Sequence, residues 1–340
     1  MQKRFWVLWV ACLAGCWAVA DGGAAALDSA RRDPFLTEHQ ALGLNAKDLT
    51  VERKEPSWWW RPRCASAAEQ WAYAEGLEQG GSLRRARNAY NDLVHEWGAS
   101  PYAGRAQHRI AEISLKRGEM ERAYEEYVYL IAYFAGQCPY EQVLESCFRT
   151  ANAILGENRS FLGLPLASDA FHRENFERIL FYAPRWHKAP EVLIRIGALH
   201  EADSDYALAA KVYDTIIARF PKSNRVEDAA YRSAWCHREL ARREKEHLSR
   251  CRDSILAIRA LTNRFPEHPR LGEFKKWIAE LERRYEDLRF AQAAFYDQHR
   301  YGAKAALGAY AQFLKEFPAS VHAEAVTNRM AELKAQPAAR

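Results

Sequence analysis

The sequence predicts an all-α protein built from about six helical hairpins, and three observations carry that prediction. From Ala65 onward apolar residues recur at helical spacing, with short turns between them and no alternating strand pattern. One short pattern of a small, an aromatic and an aliphatic residue returns along the chain. The 340 residues are 49% hydrophobic and 12% aromatic, ample for a core, with 27% charged residues for a solvated exterior. A repeat array also lets a chain of this length escape the size limit of a single core.

The pattern is clearest at Ala209, Tyr213, Ile216 and Phe220-Pro221, with Gly197 twelve residues before Ala209. Ala306, Tyr310, Phe313 and Phe317-Pro318 repeat it, with Ala294 twelve residues upstream. Ala86, Tyr90, Leu93 and Ala123, Tyr127, Leu130 are weaker copies, with Ala74 and Ala111 upstream. Phe176, Ile179, Pro184 and Ile258, Leu261, Phe265-Pro266 are degenerate copies, with His172 and Ser254 in the small position. Each copy marks the second helix of a hairpin. Two antiparallel helices approach closely where small residues face each other. The aromatic then fills the space toward the next hairpin, and Pro stops the helix because its nitrogen cannot donate.

These choices resemble the tetratricopeptide repeat, whose period is about 34 residues. The small position here falls at 86, 123, 172, 209, 254 and 306, so the repeats are stretched. Glu157 to Pro165 reads as an inserted loop, and Leu240 to Ser249 as an extension of both helices of the fifth hairpin. The resemblance implies a right-handed superhelix of stretched hairpins spanning 65–335, with the first helix of each hairpin lining the concave face. That stripe offers Trp71, Glu75, Arg105, His108, Glu112 and Lys116 in the first two repeats and Tyr231, Trp235 and Arg238 in the fifth. All nine are candidate partner-binding residues. For Trp71 and Trp235 the alternative is a place in the core, and for the charged residues a solvated face.

The N-terminus reads as a targeting segment. Gln2-Lys3-Arg4 precedes an apolar run, Phe5 to Ala14, that is too short to span a bilayer as a mature helix. Two cleavage readings stand. Leu13-Ala14-Gly15-Cys16 resembles the lipobox of bacterial lipoproteins, which makes 1–15 a signal peptide and Cys16 the lipidated residue; Ala18-Val19-Ala20 fits ordinary cleavage. Residues 16–64 lack sustained periodicity and read as a flexible tether ending in the Trp58-Trp59-Trp60 cluster. Those indoles suit a membrane interface, a partner, or a cap over the first repeat.

Chemistry is sparse. No nucleophile elbow, phosphate loop, His-Glu-x-x-His or Cys-x-x-Cys pair occurs, so no enzyme, cofactor or metal site is expected. Glu145-Ser146 resembles the Glu-Ser of lytic transglycosylases only as a lone dipeptide. The net charge of +5 is spread without a like-charge block, which argues against nucleic acid. The local pairs Cys138/Cys147 and Cys236/Cys251 are placed about 10 Å or more apart along helices, so five free thiols, mostly buried, are expected downstream of Cys16.

The stretches VYDTIIARFPKSNRVEDAAYRSAW (212–235), AIRALTNRFPEHPR (257–270) and RFAQAAFYDQHRYGAKAALGAYAQFLKEFPAS (289–320) resemble the BamD (YfiO) lipoproteins of the β-barrel assembly machinery. The likeness covers about 190–335. It implies a lipid-anchored scaffold of the outer membrane, facing the periplasm, that contacts the barrel-inserting subunit and unfolded outer-membrane proteins. A periplasmic adaptor of cell-wall or division machinery is the alternative, and a peptidoglycan lytic enzyme a distant one.

Overall fold

The computed structural model describes residues 49–53, 61–156, 160–161, 164–165, 169–298 and 302–335. The expected signal peptide, Cys16, the Trp58–Trp60 cluster and most of the expected tether lie outside the described residues. Among the described residues two compact units form. The first holds those up to Thr150 together with Glu177–Trp186, and the second holds Ala151–Phe176 and those from His187 onward.

From Ala67 onward, six hairpins and one closing helix account for the described α-helical residues, with a short 3-10 turn at Ala135–Gln137. They are α1 (Ala67–Gln79) with α2 (Leu83–Glu96), α3 (Ala103–Lys116) with α4 (Met120–Phe134), and α5 (Tyr140–Gly156) with α6 (Asp169–Tyr182). Then come α7 (Ala189–Ala202) with α8 (Tyr206–Arg219), α9 (Val226–Arg243) with α10 (Leu248–Arg264), and α11 (Leu271–Gln298) with α12 (Ala303–Glu316), followed by α13 (Ala323–Ala335). Helices α5 and α6 each contribute residues to both units. The expected loop at 157–165 contains a two-residue antiparallel ladder, pairing Ser160 with Pro165 and Phe161 with Leu164.

The recurring pattern is the core. Tyr90, Tyr127, Phe176, Tyr213, Ile258 and Tyr310 are all buried, as are Leu93, Leu130, Ile179, Ile216, Leu261 and Phe313. Burying each such side chain contributes about 1.5–3 kcal/mol. The small positions are equally enclosed, with Ala74, Ala86, Ala111, Ala123 and Ala209 at 0% exposure. Gly197 shows why size matters there, since a Cβ would stand 2.4 Å from the Tyr213 ring. The final hairpin corrects the expected position by one: Ala293 is buried and Ala294 is not fully so.

Turn chemistry sets the hairpins. Gly81, Gly118 and Ser204 each sit five residues before the small position of α2, α4 and α8, at φ of 75°, 74° and 62°. Glycine adopts this left-handed conformation freely, whereas Ser204 does so at a cost. The fifth hairpin is lengthened as its sequence suggests, α9 having 18 and α10 17 residues against 14 in α7 and α8. The 28-residue α11 is the larger departure from the repeat. Phe274, Trp277 and Leu281 belong to the α9–α10 core, while Ala293 belongs to a second core with Tyr310, Phe313, Val326 and Leu333. One helix thus carries two hydrophobic clusters along roughly 42 Å of axis.

All five described cysteines are free, with Cys147, Cys236 and Cys251 buried. No described helix is long and apolar enough to cross a membrane.

Candidate functional site

The first helices of the first two hairpins enclose a cleft of about 570 Å³. Helix α1 supplies Trp71, Glu75, Glu78 and Gln79, α3 supplies Arg105, His108, Arg109 and Lys116, and the connection after α4 closes the rim with Gln137, Cys138 and Pro139. Five of the six residues expected on this stripe line the cleft. The sixth, Glu112, joins its wall by pairing with Arg109. The helices can present these side chains together because Gln70 and Gln107, one turn before Ala74 and Ala111, each hydrogen-bond a carbonyl of the partner helix. Gln70 Nε2 donates to Ala89 O at 3.0 Å and Gln107 Nε2 to Glu126 O at 3.0 Å.

Trp71 is the cleft's aromatic wall. Its ring lies 5.2 Å from Tyr90 and 6.1 Å from Tyr102, and the Arg105 guanidinium sits over it at 4.5 Å, a cation–π stack. Arg105 and Glu75 are exposed. Deeper in the wall, Arg109 Nε donates to Glu78 Oε2 at 3.0 Å, its other nitrogens reach Glu78 and Glu112, and Lys116 Nζ lies 3.5 Å from Glu78. Burial works against the Arg109 charge, but the hydrogen bond to Glu78 and the charges of Glu112 and Glu78 outweigh it and raise its pKa. Burial lowers the His108 pKa despite Glu112 at 4.0 Å. Burial likewise raises the Cys138 thiol. The cleft thus combines one indole, two exposed cations, Arg105 and Lys116, and the carboxylates Glu75 and Glu78.

Gly104 lets the rim approach. A Cβ there would lie 2.5 Å from Gln137 Cβ, and the Gly104 N–H donates to Gln137 Oε1 at 3.0 Å. Nothing in the helical periodicity marks Gln137, Cys138 and Pro139 as rim residues, because they sit in a connection whose position is set by the packing of α4.

Tyr231, Trp235 and Arg238 lie on α9 in the second unit, and the structure uses them in packing. Tyr231 stacks on His268 at 6.0 Å with the Arg270 guanidinium 4.8 Å from its ring, Trp235 meets Tyr206 edge-on at 5.3 Å, and Arg238 covers Trp277 at 4.7 Å. Both aromatics pack against the α9–α10–α11 core.

A second recurrent motif escapes the sequence reading. Glu78 lies four residues after Ala74, accepts from the Tyr90 hydroxyl at 3.2 Å, and binds Arg109 of the following hairpin. Asp297 does the same four residues after Ala293, accepting from Tyr310 at 3.2 Å and from Arg329 Nε at 2.7 Å. Glu201 lies four residues after Gly197, with Arg232 Nη1 at 3.4 Å, and burial followed by Glu201 raises the Tyr213 pKa. The first two trios tie both helices of one hairpin to the helix that follows, whereas in the Glu201 trio the Tyr213 hydroxyl is buried and makes no hydrogen bond to Glu201 within normal distance. The readable signal is an acid twelve or thirteen residues before the tyrosine and an arginine 31 or 32 after the acid. Helix α3 has Leu115 at that place, and the third and fifth copies carry Phe176 and Ile258, which have no hydroxyl to satisfy.

Residues 191–223, covering most of α7 and α8 with Gly197, Ala209 and Tyr213, match the tetratricopeptide repeat family. The all-α architecture of successive packed hairpins agrees with that match. Two solved structures are similar to this chain over long spans. A tetratricopeptide repeat protein from Parabacteroides merdae is 14% identical, covering 79% of this chain and 98% of its own, with a TM-score of 0.30. The C-terminal part of a tetratricopeptide repeat-containing protein from Cytophaga hutchinsonii is 13% identical, covering 75% and 98%, with a TM-score of 0.25. No curated protein matches the sequence.

Proposed function

We propose that this chain is a non-catalytic scaffold that holds a partner protein through the cleft between its first two tetratricopeptide repeats. The observation carrying the proposal is the convergence of Trp71, Glu75, Arg105, His108 and Lys116 on one cavity of about 570 Å³. Arg105 stands exposed over the Trp71 face, so its fork of donors is available to a partner while its charge is already oriented. Replacing Arg105 and Trp71 by Ala together should reduce partner capture at least tenfold while leaving the helical circular dichroism intact. Unchanged capture would remove the cleft from the reading.

The finer reading is a lipid-anchored outer-membrane protein, facing the periplasm, that serves β-barrel assembly. Its support is the likeness of 212–235, 257–270 and 289–320 to the BamD lipoproteins and the lipobox ending at Cys16. Affinity purification from detergent-solubilised membranes should recover the barrel-inserting subunit, and its consistent absence refutes that role. Cys16→Ala should release the chain from membranes; continued attachment argues against lipidation at Cys16.

A further inference from the structure

Residues 49–53 are not part of any repeat, yet they are held against the first unit. Leu49 is 2% exposed. The Val51 N–H donates to the Tyr182 hydroxyl at 3.0 Å, and the Val51 carbonyl accepts from the Tyr133 hydroxyl at 2.7 Å. Arg53 extends the contact to the α2–α3 turn, where its Nη2 lies 3.5 Å from the place a Cβ on Gly98 would occupy. The two tyrosines come from the ends of α4 and α6, 82 and 131 residues away in sequence.

This ledge is built. The Tyr133 ring packs on Tyr129 at 4.7 Å, and Tyr182 packs on Phe181 at 4.9 Å while its own carbonyl accepts from the Tyr140 hydroxyl at 3.0 Å. Two fixed phenols satisfy both main-chain groups of a single residue, as a neighbouring strand does for a hydrogen-bonded residue in an antiparallel sheet. Recognition of that kind reads backbone, so it tolerates any side chain at the position, and specificity passes to the apolar anchor two residues earlier. The buried pattern residues of hairpins one and two come from the helices themselves, so residues 49–53 behave as an occupant of the ledge and not as a wall of the core. Tyr133 remains 38% exposed beside them, which leaves an edge from which they can be displaced.

We propose that the Tyr133–Tyr182 ledge is a peptide-binding site kept filled by this chain's own residues 49–53. A partner segment with an apolar anchor followed by free backbone groups enters by displacing them. This site is separate from the Trp71 cleft and does not depend on the assembly role.

The probe is a labelled synthetic peptide with the sequence of residues 48–54, titrated by fluorescence anisotropy against the full chain. It should bind the Leu49→Asp chain, whose own strap is released, at least tenfold more tightly than the wild type. Adding Tyr133→Phe and Tyr182→Phe to that background, or methylating the Val51 nitrogen in the peptide, should each weaken binding at least tenfold. Equal affinity for wild type and Leu49→Asp, no binding to either, or indifference to the phenols and to the methyl group overturns the proposal. Should Leu49→Asp lose its helical signal, hydrogen exchange in the otherwise wild-type chain decides. The Val51 amide should exchange at least tenfold faster in Tyr182→Phe, and an unchanged rate overturns the proposal equally.

Discussion

Gly197 and Ser204 sit seven residues apart in one hairpin and make opposite demands. Gly197 has no room for a methyl group, since its Cβ would press on the Tyr213 ring at 2.4 Å. Gly197→Ala should therefore destabilise the chain by about 1–3 kcal/mol through overpacking, read as a shift in the urea midpoint. Ser204 occupies a left-handed turn at φ 62°, where Gly81 and Gly118 stand in the first two hairpins. Ser204→Gly should stabilise by about 0.5–1 kcal/mol, because relief of the strained conformation exceeds the added freedom of the unfolded chain. Asp92 is a third residue-scale case, its pKa raised to about 6 by burial alone. A carboxyl with a raised folded pKa contributes stability below its unfolded pKa and loses it as pH rises through about 6. Asp92→Asn should thus stabilise the protein at pH 7–8 by about 1 kcal/mol, a value reduced for its partial exposure, and flatten the stability profile between pH 4 and 6. The turn and the small positions are legible in the sequence as residue types. The Asp92 shift is not, because its cause is neighbours brought in by packing.

At the scale of helices, the tyrosine–acid–arginine trios fix the register between successive hairpins. Glu78, with 9% of its side chain exposed, receives Tyr90, Arg109 and Lys116, so removing one partner leaves a buried charge short of compensation. A double-mutant cycle with Glu78→Gln and Arg109→Met should show a coupling of about 1–2 kcal/mol. The same cycle placed on Leu115 of α3, where no acid is present, should show none. In the last trio the hydrogen bond from Arg329 holds the Asp297 pKa below the ordinary carboxylate value. A depressed carboxylate contributes stability above its unfolded pKa and loses it as pH falls through the lower folded value. Acid unfolding should accordingly begin at lower pH in the wild type than in Arg329→Met, monitored by the fluorescence of the tyrosines of α11 and α12. Helix periodicity and the six hairpins follow from the sequence pattern. The trios link residues 31 or 32 apart across a hairpin boundary, so they become visible only when the first helix of the next hairpin is set beside the last.

For the whole molecule, a repeat array has stability that is approximately the sum of its units and their neighbours' interfaces. Helix α11 makes this testable within the second unit, because its N-terminal half serves one hydrophobic cluster and its C-terminal half another. Truncation before Ala323 removes Val326 and Leu333 from the second cluster and leaves the first intact. Amides of α12 should then exchange about 100-fold faster, a loss of about 2.7 kcal/mol in local opening energy, while those of α9 and α10 change by less than about threefold. Uniform acceleration across α9 to α12 would show that α11 transmits the loss along its length.

The amino-acid sequence alone determined the helical class, the number of hairpins and the residues that meet at the crossings, save in the last hairpin, where Ala293 takes the place expected of Ala294. Those depend on spacing within about 40 residues, and small, aromatic and aliphatic side chains announce them. It also placed Trp71, Glu75, Arg105, His108 and Lys116 on a common face, since two first helices with matching periods present matching stripes. Only the tertiary structure decided that the connection at Gln137–Pro139 closes this face into a cleft and that Tyr231, Trp235 and Arg238 serve packing in their own unit. It also decided that Val51 is gripped by two hydroxyls 82 and 131 residues away. Those outcomes depend on where non-repeating segments come to rest. A repeat pattern fixes distances within and between neighbouring hairpins, and carries no information about chain that lies outside its period.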